Sequence, residues 1–187
     1  MHRTIKPGKN DMFIIAFDPS IRGWGWVVFN QAGLIIEGNA IRTESKSKAK
    51  KIRKGDDNVR RVSEIDTALK RVFKKYKIHH IVSELPHGSQ NSMAAMTQGV
   101  NLGVIQTIGT FLDIGIDWYS EADAKKSVTD RKQITKDDMV IIIDELYPSY
   151  HPRGTKWIDQ ATADAVAVYH VACTQSPTIQ FLRTLKL

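Results

Sequence analysis

Three strand-length apolar runs, separated by only a few residues each, open the chain and constrain its fold more than any other feature. Met12 to Phe17 is rich in Ile and Phe and ends at Asp18-Pro19. A turn containing Gly23 leads into Trp24 to Phe29, and Asn30-Gln31-Ala32-Gly33 leads into Leu34 to Ile41. Parallel neighbours need a crossover of about a dozen residues or more, so connections this short predict an antiparallel meander. Trp24 and Trp26 are two residues apart on one strand and share a face, which reads as core or hairpin packing rather than base stacking.

After the meander the period changes. From about Asn58, apolar residues at Val59, Val62, Ile65, Leu69, Val72 and Phe73 recur at helical spacing, and that helix ends near Lys77. Ile78 to Leu85 is a strand that carries Glu84 just before Pro86. Asn91 to about Ile114 reads as a long helix despite Gly99, Gly103 and Gly109, and Ile116 to Tyr119 as a short strand. Thr135 caps a helix running to Leu146, and Ile158 to Cys173 forms a last helix beyond Pro148 and Pro152. The order βββ-α-β-α-β-α-α predicts one α/β domain, with a mixed five-stranded sheet flanked by helices. Its expected limits are residues 12–175, with a basic flexible arm at 1–11 and a tail at 176–187. Met93, Met96 and the Gly99/Gly103 pair are expected to serve close helix packing, within the chain or across a dimer.

A chain of 187 residues is long enough for one real core. Its 27 Lys and Arg outweigh 20 Asp and Glu, for a net charge of +7, which favours a polyanion as partner. Cys173 is the single cysteine, so an intramolecular disulfide and a cysteine-based zinc site are both excluded, and a reducing, cytoplasmic setting is expected. The longest apolar runs, such as Val140 to Ile143, are far too short to span a membrane. Eight Lys and Arg crowd into Lys46 to Arg61. Lys46, Lys48, Lys50, Lys51, Arg53 and Lys54 there suit phosphate contact; about six neutralised phosphates would give a log–log salt slope of roughly −5. A solvated basic loop is the other reading of that stretch.

The carboxylates carry the chemistry. Asp18 and Glu84 each close a buried strand. Asp164 shares a stripe of the last helix with Ala161, Ala165, Val168 and Val171. A carboxylate on an apolar face is costly unless paired, hydrogen-bonded or bound to a cation. The small Ala neighbours would let that helix approach the sheet, bringing Asp164 towards the strand ends. Three such acids would form an oxygen-only site suited to Mg²⁺ or Mn²⁺. Two ions about 4 Å apart would activate water and stabilise the leaving oxygen in phosphodiester hydrolysis. Asp18 as a turn cap, Glu84 as a solvated strand end and Asp164 in a salt bridge are the alternative roles.

Phe17-Asp18-Pro19-Ser20 followed by Gly23-Trp24-Gly25-Trp26-Val27-Val28 resembles the opening hairpin of the RuvC-type Holliday junction resolvases. Ile81-Val82-Ser83-Glu84, the helix after it with Gln98-Gly99 and Gly103, and Ala163-Asp164-Ala165-Val166-Ala167-Val168 continue the resemblance in order, from about residue 12 to 174. It implies an RNase H-like fold, a homodimer, bound Mg²⁺ or Mn²⁺, and paired nicks across a four-way DNA junction in the cytoplasm, with the nucleoid or in a phage-infected cell. Asp18, Glu84 and Asp164 match three of the family's four catalytic acids. Lys125 and Lys136 fall where the family keeps lysines near the scissile phosphate, with Lys132 a DNA contact between them. The family's remaining acid stands three residues before Asp164, where this chain has Ala161. Asp159, five residues before Asp164, is the acid available as fourth ligand, and only from a pre-helical turn, because five residues turn a helix by about 140°. His87 replaces an aromatic residue of the family and is expected to stack on a base or orient a water. Another RNase H-like nuclease acting on RNA or other branched DNA, and a junction-binding protein without catalysis, are the competing functions. An ATPase of the actin type would need a second phosphate loop and a longer chain.

Overall fold

The computed structural model describes residues 11–47, 52–86, 91–129 and 134–185. The first three strands, β1 (Phe13–Asp18), β2 (Gly23–Asn30) and β3 (Ile35–Arg42), form the expected antiparallel meander. Helix α1 (Lys54–Lys75) then leads to β4 (Ile78–Leu85), and α2 (Ser92–Leu112) leads to β5 (Gly115–Ser120). Strand β4 pairs parallel with β1, and β5 pairs parallel with β4, giving the sheet order β3-β2-β1-β4-β5. Four helices follow: α3 (Glu121–Thr129), α4 (Lys136–Leu146), α5 (Lys156–Gln175) and α6 (Pro177–Thr184).

Alternation along the strands divides the core in two. Phe13, Ile15, Phe17, Trp24, Trp26 and Val28 face α1 and α2, where Ile65, Leu69, Val72 and Ile105 cover them. Both tryptophans are therefore core, and Trp24 meets Phe17 edge-on. Ile14, Ala16, Val27, Phe29 and Val82 face the other way, against α5 with help from α3, α4 and α6. Phe29 stacks on Tyr169 of α5 with ring centroids 3.7 Å apart.

Two helices differ from the sequence reading. The segment after β5, not expected to be helical, forms the nine-residue α3, capped by the Ser120 hydroxyl, which accepts the Asp123 N–H at 3.1 Å. The expected tail instead begins with α6: Ser176 caps it, Pro177 opens it, and Ile179 and Leu182 enter the core. Thr135 caps α4 as expected, in a reciprocal capping box with Asp138. Among the described residues, Gly99 and Gly103 have nothing within 4 Å of where a Cβ would lie, so close packing among those residues does not use them. The expected arm lies outside the described residues except for Asp11. Among the described residues no helix is long and apolar enough to cross a membrane.

The turn from β1 to β2 is held by a buried arginine. Arg61 of α1 donates to the Ile21 carbonyl at 3.0 Å and to the Thr43 hydroxyl at 2.8 Å, and that hydroxyl bonds the same Ile21 carbonyl. Removing the guanidinium leaves buried acceptors without donors, which costs about 1–3 kcal/mol. Arg61→Leu is expected to lower the urea-denaturation free energy by about 2 kcal/mol; an unchanged midpoint would show that water replaces the guanidinium without loss.

Candidate metal and nucleic-acid site

Three parallel strands, β1, β4 and β5, end at one edge of the sheet, and this is where the acids gather. Asp18 is the last residue of β1 and Glu84 the penultimate residue of β4. Residues 14, 16 and 18 share one face, as do 82 and 84, so both carboxylates project toward α5. Helix α5 lies close on that face because the residues it buries are small: Ala161, Ala163, Ala165 and Ala167 are all buried. At Gly25, the register partner of Asp18, an added Cβ would lie 2.2 Å from the Ala161 carbonyl oxygen. This contact sets Asp164, one turn further along α5, beside the strand ends.

Lys136, at the start of α4, reaches the same place, with its Nζ 2.7 Å from Asp164 Oδ2. The Asp164 side chain is 14% exposed and that of Lys136 59%. The electrostatics are those of crowded negative charge. Burial pushes the Asp18 carboxyl well above its usual range, and the charges of Asp164 and Glu84 push it further. Burial raises Glu84 to about 7, with Glu121 and Asp164 adding to the shift and Lys136 and Lys125 opposing it. Asp164 is raised by burial even though it is ion-paired, so here desolvation outweighs the ammonium. Lys136 holds its proton more tightly than usual: burial acts against the charged form, and Asp164, Asp18 and Glu84 more than offset it.

The donor chemistry suits a hard divalent cation: the converging groups are carboxylate oxygens whose mutual repulsion such an ion would relieve. Among the described residues, no three His, Cys, Asp or Glu side chains are already drawn into one coordination sphere. The positive charge beside Asp164 is the Lys136 ammonium, which engages one of its two carboxylate oxygens.

The other expected site residues are spread more widely. Asp159 lies within the first turn of α5 rather than in a pre-helical turn, is 6% exposed, and accepts the Arg153 backbone N–H at 2.7 Å. The five-residue offset from Asp164 turns its carboxylate onto the preceding loop, which removes the route by which it was expected to join the acids. Lys125 ion-pairs with Glu121 at the rim of the acidic group. Arg53 pairs with Asp56 at 2.8 Å and Lys54 opens α1, both exposed. The Lys46 backbone N–H donates to Asp57, whose carboxylate also accepts from Ser45 and Arg60. Lys48, Lys50, Lys51, His87 and Lys132 lie outside the described residues.

Two residues of this region were not anticipated. Glu121 opens α3 directly after β5, and its charge adds to the rise of Glu84, with smaller contributions at Asp18 and Asp164. Asn101 of α2, 3% exposed, donates to the Pro19 carbonyl at 3.1 Å and so fixes the turn behind Asp18. Neither stands out in the sequence, since one begins an unread helix and the other interrupts an apolar one.

No family model matches the chain. It is 26% identical over 161 residues to the crossover junction endodeoxyribonucleases RuvC of two Rickettsia bellii strains, OSU 85-389 and RML369-C, covering 84% of this chain and 94% of each relative. Among solved structures it is similar to Thermus thermophilus RuvC in complex with a Holliday junction substrate, with a TM-score of 0.67 and 16% identity over 92% of this chain and 96% of that one. A second Thermus thermophilus RuvC structure aligns with a TM-score of 0.64 at 16% identity, covering 89% and 96%. In fold, a mixed five-stranded sheet flanked by helices, the chain is similar to these RuvC structures.

Proposed function

We propose that this protein is a metal-dependent endodeoxyribonuclease that resolves four-way DNA junctions by paired nicks. The observation that carries the reading is the convergence of Asp18, Glu84 and Asp164, from two parallel strand ends and one helix, in a chain that is RuvC-like over most of its length. A relative over 94% of whose length this chain aligns is named a crossover junction endodeoxyribonuclease, and the structural neighbour was solved with a junction, which supports branched DNA as the substrate.

Asp18, Glu84 and Asp164 are the metal-binding acids in this reading, and Asp159 is left out of the set. When bound there, Mg²⁺ or Mn²⁺, as one ion or a pair, would supply Lewis acidity and a lowered pKa for the attacking water. The residues do the rest. The carboxylates hold the ion-binding oxygens at the strand ends, and the fixed sheet register keeps Asp18 and Glu84 in place. Lys136, whose ammonium keeps its proton, faces the anionic phosphoryl group as the P–O bond to the leaving oxygen breaks. Arg53 and Lys54, with the lysines around residue 50, contact the DNA backbone.

Paired nicks need two sites, and a homodimer provides them. The end of helix α2 leaves Phe111 and Leu112 exposed, with Phe111 at 85%, an apolar surface that supports such an interface. The cytoplasm, where DNA is accessible, is the expected setting.

A synthetic four-way junction incubated with the protein in Mg²⁺, in Mn²⁺ and in EDTA tests this directly. The expected result is metal-dependent nicks placed symmetrically on opposing strands, with flap, RNA–DNA hybrid and duplex cut far less. Junction binding without cleavage in either metal would leave a binding protein instead, and preferred cleavage of hybrid would reassign the substrate to RNA.

A further inference from the structure

We infer that Arg42, held over the indole of Trp157, is a phosphate contact for the DNA strand that reaches Asp18 and Asp164. The inference rests on the reading of DNA as the substrate and adds a binding residue to it.

The sheet register places Arg42 on the right face. Asp18 pairs with Gly25, and Gly25 pairs with Ala40, so the three form one row across β1, β2 and β3. Residues of one row point to one face, and a Cβ at Gly25 would point at Ala161 of α5. Arg42 lies two residues beyond Ala40 and so shares that face with Asp18. Two strand spacings and two residue steps separate its backbone from that of Asp18 by about 12 Å. That is a span of a few phosphates along one strand.

Helix α5 brings Trp157 to the same place. Seven residues turn a helix by nearly two full turns, so Trp157 shares a stripe with Asp164 and lies about 10 Å nearer the helix start. Ala161 stands between them, packed on Gly25. Trp157 is half-buried, and the Arg42 guanidinium carbon sits 5.7 Å from its ring centroid. An indole under a guanidinium restrains the long side chain and leaves its N–H groups for a second partner. The acidic partner at hand is Glu44, 3.8 Å from Arg42 Nε, with the two side chains 75% and 58% exposed. A long contact between exposed groups is worth little, so a phosphate can displace it. The plainer role for the pair is a clamp between the end of β3 and the start of α5.

Binding of a labelled four-way junction in EDTA, followed by fluorescence anisotropy over a range of salt concentrations, separates the two roles. Arg42→Gln is expected to weaken binding about tenfold and to reduce the log–log salt slope by about one. Trp157→Ala is expected to weaken binding by about threefold or more with the slope unchanged, and Trp157→Phe to recover most of the loss. The double variant Arg42→Gln/Trp157→Ala is expected to bind no more weakly than Arg42→Gln alone. Lys70→Gln removes an equal charge from α1, on the opposite face of the sheet, and is expected to bind as the wild type does. Circular dichroism confirms that each variant is folded at the temperature used. Wild-type affinity and slope in Arg42→Gln overturn the inference, as does an equal loss in Lys70→Gln, which would show a general effect of charge. Additive losses in the double variant overturn the supporting role of Trp157. A wild type that binds the junction no better than duplex brings down the junction reading instead, whatever the variants do.

Discussion

Asp18→Asn is expected to abolish junction cleavage and, at the same time, to stabilise the metal-free protein. Loss of one charged group aimed at the reacting phosphate costs on the order of a hundred- to a thousandfold in rate, and loss of a direct metal ligand reaches the upper end of that range or beyond. The stability gain has a separate origin. Asp18 ionises against burial and against the charges of Asp164 and Glu84, so the ionised cluster weakens the fold. Asparagine keeps the shape and removes the charge. Glu84 gives the pH window: its carboxyl is raised to about 7 in the folded state, against an ordinary value near 4.3 in the unfolded chain. A raised pKa means the folded state binds protons more tightly, so the stabilisation from proton uptake is complete below about pH 4.3 and is lost as pH rises through about 7. Asp18 is raised in the same direction, by burial and then by its acidic neighbours, so the advantage of Asp18→Asn over wild type should be larger at pH 8 than at pH 5. Added Mg²⁺ should stabilise the wild type and leave the variant nearly unmoved. Thermal denaturation at both pH values, with EDTA or Mg²⁺, reads all of these effects. A variant that cuts junctions at the wild-type rate would remove Asp18 from the site.

The acids differ in how much of their role is visible before the fold is known. Asp18 and Glu84 are legible because each ends an apolar run, and alternation then fixes the face each one uses. Asp164 is legible because it breaks an apolar helical stripe whose other members are small. Glu121 is not: it sits in a polar stretch with two lysines, and only the parallel placement of β5 beside β4 brings it to the same edge. Asp159 shows the reverse. It is an acid close to Asp164 in sequence, but an offset of five residues on a helix turns it onto the Arg153 loop. The terminal helix α6 carried its own signals, Ser176-Pro177 and the Ile179/Leu182 pair, yet eight residues at the end of a chain are too short to read as a helix without the core that receives them.

Gly25→Ala should be among the most damaging single substitutions in this protein, although it adds one methyl group to a strand. The added Cβ would lie 2.2 Å from the Ala161 carbonyl oxygen and 2.7 Å from its carbonyl carbon. Those are helix backbone atoms, which cannot swing aside as a side-chain end could. Relief requires α5 to move off the sheet, and α5 buries Ala163, Ala165, Val166, Val168 and Val171 against it. Overpacking of a rigid core costs about 1–3 kcal/mol where neighbours can adjust; here the neighbour is a helix axis, so a loss of about 3 kcal/mol or more is expected. Function should fall further than stability, because the same displacement carries Asp164 away from Asp18, the register partner of Gly25. Gly23→Ala is the matched control: it lies in the same strand, and its Cβ would meet nothing within 4 Å. That change should be neutral or stabilising by up to about 1 kcal/mol, through the reduced freedom of the unfolded chain. Urea denaturation of the two variants, with Mn²⁺ binding measured at a temperature where both are folded, compares them. If Gly25→Ala loses less than about 1 kcal/mol and binds Mn²⁺ as the wild type does, the seam between β2 and α5 is not what sets the geometry of the acids.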